Sequence, residues 1–503
     1  MAKKTKNTST FVGEPKPQFL KGALVAALGI VIIIGAPVKA QAPPGATEIR
    51  PTDTLATIQA AVDGGGVVYF HPGAYSWTGI LNVNNSVKLT GPKPTGDFNT
   101  STGADNRVWE AKITKSPVGV WDPNDQWDWD PNNLAGAPLD PTIQIDCPGD
   151  TENVIISNLD IECLSMGMCI ALVGGGDSMK VSNCRMKTVD DGYGFCSWLG
   201  SSRSVTIEDC YIEAGTAGFL YPGDIPPNTD CMAFGMSDFA TIEVKNNIAI
   251  NHCDTLNVST AVEIVWRQNP TTQVTISDNY LKSSGEGYAI FYYDSACSIG
   301  TVRHNTVIGN YHFLHLENDG SGGTVESNRF ECSGGGLASL YFKDSSDVTV
   351  KANTFTGSVS LGGIGLAGNS SHNAFIGNDM SDLNAGVMQI LVEPGCQDNL
   401  FTRNVFGSLG PGAMAGVQCS GDSNSFIKND YTRSGIPGLT AGAIPCVWLA
   451  NSYDPDTGNL IAEPENNLVF EPDGFPLGTT AAEQVLDDPR ECTGTTTNIV
   501  VGH

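Results

Sequence analysis

Positive charge is scarce in this chain. Lys and Arg number 27 against 54 Asp and Glu, so the 503 residues carry a formal net charge of −27. Such a field repels nucleic acid and anionic membranes, and it repels polyanionic glycans unless divalent cations intervene. CxxC pairs are absent, which removes the usual zinc-site spacing. Long apolar runs are absent except for one near the N-terminus. The 3.6-residue periodicity of long helices is missing from the body of the chain, which excludes a helical solenoid. Disorder is excluded in turn, because 40% of the residues are hydrophobic and only 16% charged.

The single apolar run reads as an export signal over residues 1–40. Lys3, Lys4, Lys6, Lys16 and Lys21 form a basic leader before the apolar stretch Ala23 to Ala36. Val38-Lys39-Ala40 or Ala40-Gln41-Ala42 offers the small-x-small cleavage pattern. Gly29, Gly35 and Pro37 interrupt or end a run already short for a membrane span. The expectation is a secreted, periplasmic or cell-surface protein with no membrane segment in its mature form. Its 21 basic and 53 acidic residues would then give a net charge of −32. Export permits disulfides among the 14 cysteines, whose connectivity is not legible.

What the chain does have is a repeat. Val181-Ser-Asn-Cys-Arg-Met186 aligns with Ile207-Glu-Asp-Cys-Tyr-Ile212, Ile276-Ser-Asp-Asn-Tyr-Leu281 and Val350-Lys-Ala-Asn-Thr-Phe355. One column of the alignment reads Leu159, Cys184, Cys210, Asn247, Asn279, Asn305, Asn328, Asn353, Asn378, Asn404 and Asn429, mostly 25 or 26 residues apart. Apolar residues flank the column at alternate positions, the period of a half-buried strand. Coils stacked in parallel register about 4.8 Å apart would let each Asn pass hydrogen bonds up and down the stack. Cys184 and Cys210 share the column and read as small buried hydrophobes.

This pattern resembles the right-handed parallel β-helix (pectin-lyase-like) superfamily over roughly residues 48–470, by repeat rather than by identity. The resemblance implies an all-β solenoid with inward asparagine ladders. Asp53 to Val62 reads as its N-terminal capping helix, and Gly64 to Gly91 as the first coil. The expected organisation is 41–91 as cap and first coil, 92–141 as a surface insertion, 142–470 as repeats and 471–503 as a C-terminal cap or tail.

Chemistry in a solenoid sits on insertions and outward side chains. Seven residues past the ladder column stand Asp191, Asp254, Glu286 and His312, on or beside the coils with long spacings. With Asp190 they form the candidate catalytic stripe. Carboxylates one coil apart would lie about 5 Å from each other and two coils apart about 10 Å, near the separations of retaining and inverting glycosidases. Tyr193, Trp198, Tyr221, Trp266, Arg267 and Tyr292 are candidate substrate contacts, the aromatics because they stack on sugar C–H faces. Asp122, Asn124, Asp128 and Asp130 supply oxygens at near-alternate positions, a pattern that suits calcium. Trp127 and Trp129 make a sugar-stacking lip an equal reading of that loop. Asn228-Thr229-Asp230 is similar to a polygalacturonase motif whose Asp is catalytic. Its Asp-Asp partner precedes it here, and the Gly-His-Gly and Arg-Ile-Lys motifs are absent. No subfamily is matched. The readings left open are a glycoside hydrolase or polysaccharide lyase, a non-catalytic polysaccharide-binding protein, and a structural surface protein.

Overall fold

A computed structural model describes residues 41–116, 141–164, 167–188, 192–197, 203–215, 229–235, 239–252, 260–265, 269–284, 287–309, 311–318, 322–332, 336, 338–410, 413–431, 446–453, 460–462, 464–471, 485–487 and 498–502. The chain is a right-handed parallel β-helix. Among the described residues, three parallel sheets of 16, 11 and 14 strands run along the stack, each coil giving one strand to each sheet through most of it. Among the described residues the only antiparallel strand pairs are two short hairpins.

Each turn into the ladder is set by one residue of left-handed backbone. Asn158, Asn183, Asp209, Asn246, Asp278, His304, Ser327, Ala352, Arg403 and Lys428 have φ between 52° and 59°. Asn and Asp adopt this conformation most readily of the non-glycine residues. The next residue then points inward, and the expected ladder forms. The Asn279 side-chain amide donates to Asn305 Oδ1 at 2.9 Å and to the Val244 carbonyl at 2.9 Å. The same two-way bonding recurs at Asn305, Asn328, Asn353, Asn378 and Asn404. Cys184 and Cys210 are fully buried thiols with no disulfide between them. A second ladder, Asn373, Asn399, Asn424, Asn467 and Asn498, runs through the C-terminal coils. Phe375, Phe401 and Phe426 stack inside it at 4.8 and 5.0 Å.

The capping helix spans Leu55–Asp63, with Thr54 as its N-cap accepting from the Thr57 N–H. Ile58 and Val62 close the first coil. Two boundaries differ from expectation. Ala111–Lys115 is a strand of the second sheet, so 92–141 is not a continuous insertion. Val485–Asp487 and Ile499–Gly502 continue the third and first sheets beyond residue 470. The part of the insertion described before Ala111 is a strap lying against the ladder turns. Arg107 pairs with Asp105 at 2.9 Å, donates to Asn183 Oδ1 and the Asp209 carbonyl, and stacks on Phe98.

No helix among the described residues is long and apolar enough to cross a membrane.

Candidate active site on the third sheet

Strand alternation breaks on the third sheet in a regular way. In the strands Asp230–Gly235, Thr260–Val265, Tyr288–Tyr293 and His312–Glu317 the second and third residues both enter the core: Cys231 and Met232, Ala261 and Val262, Ala289 and Ile290, Phe313 and Leu314. The first and fourth residues are left to the outer face. Strand pairing carries the fourth position from coil to coil as Cys196, Ala233, Glu263, Phe291, His315, Tyr341, Gly365 and Leu391. Functional groups fill the middle of this column and give way at Gly365.

Asp230 and Glu263 form the first cluster. They sit diagonally on neighbouring strands, since Asp230 is in register with Thr260 and Ala233 with Glu263. Asp230 Oδ1 accepts from the Thr260 N–H at 2.7 Å and from its hydroxyl at 2.6 Å. Asp230 Oδ2 and Glu263 Oε2 are buried with no N–H or O–H donor. The two carboxyls act on each other across the strand pair, and one proton shared between them would give both bare oxygens a partner. Burial pushes the Asp230 carboxyl up to about 7 against the pull of the Thr260 hydrogen bonds. Burial and the neighbouring Asp230 charge push Glu263 well above the usual carboxylate range.

The second cluster is aromatic. Tyr288 stacks on Phe291 at 4.7 Å and on His312 at 5.6 Å, and meets His315 edge-on at 4.7 Å. Tyr341 covers the other side of His312 at 5.2 Å, and Tyr311 meets it at 4.4 Å. Tyr288, Tyr293, Tyr311 and Tyr341 are half-buried, with surface to offer. At the edge, His315 Nε2 donates to Glu317 Oε2 at 3.1 Å, and Lys343 holds Glu317 Oε1 at 2.6 Å. Burial opposes ionisation of Glu317, yet Lys343 and His315 hold its carboxyl below the usual range.

His312, expected on a catalytic stripe, stands on the outer face of its strand among aromatic rings. It is buried between tyrosines, and its Nδ1–H donates to the Ala338 carbonyl at 2.9 Å. Burial, with His315 beside it, lowers its pKa to about 3. It is therefore neutral at neutral pH, one ring of the aromatic row. Tyr292 is corrected. It occupies an inward column with Ile264 and Leu316, is fully buried, and donates its hydroxyl to the Ile299 carbonyl. Tyr193 lies on the outer face in register with Asp230 and is buried with Met168, Ala171, Cys196 and Ala233. The other site expectations lie outside the described residues: Asp190, Asp191, Asp254, Glu286, Trp198, Tyr221, Trp266, Arg267, and the calcium candidates Asp122, Asn124, Asp128 and Asp130. Glu263 was missed altogether. Its signal is weak, a single acid in the otherwise apolar run Thr260–Val265.

Against known proteins, a family model described as periplasmic copper-binding protein (NosD) matches residues 228–409, less than half of the chain. No curated protein sequence matches. Among solved structures the chain is similar to the A-module of the mannuronan C-5 epimerase AlgE6 of Azotobacter vinelandii. That likeness has 13% identity, TM-score 0.46, and covers 79% of this chain and 95% of that one. It is similar to a DFA-IIIase from Arthrobacter chlorophenolicus A6 in complex with GF2, at 13% identity and TM-score 0.45, over 71% and 92%. It is also similar to a tailspike protein mutant of E. coli bacteriophage HK620 in complex with a pentasaccharide, at 12% identity and TM-score 0.46, over 90% and 76%.

Copper needs several converging nitrogen or sulfur donors. Among the described residues no group of three or more His, Cys, Asp or Glu side chains could hold a metal. His312 and His315 each commit one ring nitrogen to a protein acceptor and stand among aromatic rings. The described residues of the matched stretch do not fit a copper centre.

Proposed function

We propose that this is an exported protein that binds a neutral polysaccharide along the outer face of its third sheet and hydrolyses it there. The observation that carries the reading is the aromatic platform. Tyr288, Phe291, Tyr311 and Tyr341 stand on or beside three successive coils around His312 and His315. The rings stack on one another along the coils, so the row turns ring edges and the hydroxyls of the half-buried Tyr288, Tyr311 and Tyr341 toward a sugar lying across it. Export is supported by the basic and apolar leader over residues 1–40. Net charge supports a neutral chain over a polyanionic one, because 54 acidic residues oppose 27 basic. Hydrolysis is favoured over elimination by the paired carboxyls next to the platform, which supply an acid.

The test is binding of the full chain to a galactan, a xylan, a glucomannan and a fructan, with polygalacturonate as the anionic control. Retention by at least one neutral polysaccharide is expected, weakened about 5- to 30-fold in Tyr288→Ala, a loss of about 1–2 kcal/mol. Equal binding by Tyr288→Ala and Tyr341→Ala variants, or retention on polygalacturonate alone, contradicts the reading.

A further inference from the structure

We infer that Glu263 holds the one proton of the Asp230–Glu263 pair and delivers it to the glycosidic oxygen, with Asp230 as its positioning partner. This rests on the polysaccharide reading above and adds the residue that does the chemistry.

Geometry decides which carboxyl bears the proton. Two bare carboxylates facing each other away from water repel, and one shared proton relieves both. Asp230 Oδ1 already accepts two short hydrogen bonds from Thr260, which favour the anion. Glu263 Oε2 accepts none from an N–H or O–H donor. The proton therefore stays on Glu263. The groups around the pair do not reverse this. Tyr193 and Thr260 flank Asp230, Ala233 and Phe291 flank Glu263, and the buried thiols Cys196 and Cys231 lie close by. Among the described residues no Lys, Arg or His side chain acts on either carboxyl.

Position decides which member meets the substrate. Both carboxyls are buried, and Glu263 is the member whose strand position leads on to the aromatic row. Glu263 is also in register with Phe291, whose ring stacks on Tyr288. A sugar held on the platform thus has its linkage beside Glu263. The proton passes from Glu263 to the glycosidic oxygen as the bond from that oxygen to the anomeric carbon breaks. A water oxygen forms the new bond to that carbon, and the proton it releases restores the acid through solvent. One water is consumed, and nothing is oxidised or reduced.

The experiment follows reducing-end release by the full chain from the neutral polysaccharide it retains. Glu263→Gln should lose 10²–10⁴-fold in turnover, the range for a general acid, with binding unchanged. Asp230→Asn should lose less and move the alkaline limb of the pH profile downward, since Glu263 then lacks its anionic neighbour; a purely structural role leaves that limb in place. Infrared spectra at neutral pH should show a protonated-carboxyl band in the wild-type chain that Glu263→Gln removes, whichever glycan is used. Undiminished turnover by Glu263→Gln, or a wild-type spectrum without that band, overturns the inference. So does a wild-type chain that binds polysaccharide and releases no ends, which leaves the binding reading standing. Failure to bind any of the four neutral polysaccharides sinks both.

Discussion

Two stretches of the same solenoid are built alike and furnished differently. The coils from Asp230 to Lys343 carry on one outer column Glu263, Phe291, His315 and Tyr341. The next coils carry Gly365 and Leu391 in that column. Inside, the difference reverses. The later coils add a second asparagine ladder and a phenylalanine stack, while the Asn247–Asn429 ladder runs through both. The inward positions of the repeat thus hold the frame, and the outward positions of the third sheet carry the proposed site. The two sets should be open to change almost independently, because they lie on opposite faces of the same strands.

That separation can be broken first by pH. Asp230 and Glu263 both hold their protons more tightly in the folded chain than in the unfolded one. The folded state therefore binds more protons above the ordinary carboxylate range, and its stability falls as pH rises through about 7. Asp230→Asn should flatten this fall in denaturant melts taken at steps from acid to alkaline pH; an unchanged slope contradicts the shared proton. Inside the later coils, Phe401→Ala should cost about 3–5 kcal/mol, because both stacked neighbours lose contact. Polysaccharide binding by the folded fraction should be intact. Asn353→Ala should cost about 2–4 kcal/mol, since it strands the Val325 carbonyl and its ladder neighbours Asn328 and Asn378. On the outside of the second sheet, Lys112→Ala breaks an ion pair with Glu162 and should cost under about 1 kcal/mol, because Lys112 is 42% exposed. A loss of binding from either frame variant, with folding retained, would collapse the distinction between frame and site.

Sequence reasoning reached the frame because the frame repeats. Leu159, Cys184, Cys210 and the asparagines recur at near-constant spacing, and hydrogen bonding along a stack explains why. The second ladder is also in the chain, but steps of 43 and 31 residues between Asn424, Asn467 and Asn498 hide its period. The site resisted for a different reason. Counting seven residues from the ladder does reach the outer face at His312, but the paired inward residues such as Ala289 and Ile290 change which later residues of each strand follow it there. Tyr292, an aromatic candidate chosen for sugar stacking, lies in the core, and burial beside His315 keeps His312 neutral. Asp230 was visible in a tripeptide. Glu263 was not, because its contact with Asp230 arises from register across a strand-to-strand interval of 30 residues that no local pattern encodes.

The most direct test of the division between frame and site is reducing-end release by Glu263→Gln beside Asn353→Ala, each compared with wild type at matched folded fraction. The expected result is turnover lost in Glu263→Gln with its melting midpoint near wild type, and turnover kept in Asn353→Ala with its midpoint lowered. Turnover that persists in Glu263→Gln, or that disappears in folded Asn353→Ala, would contradict the account.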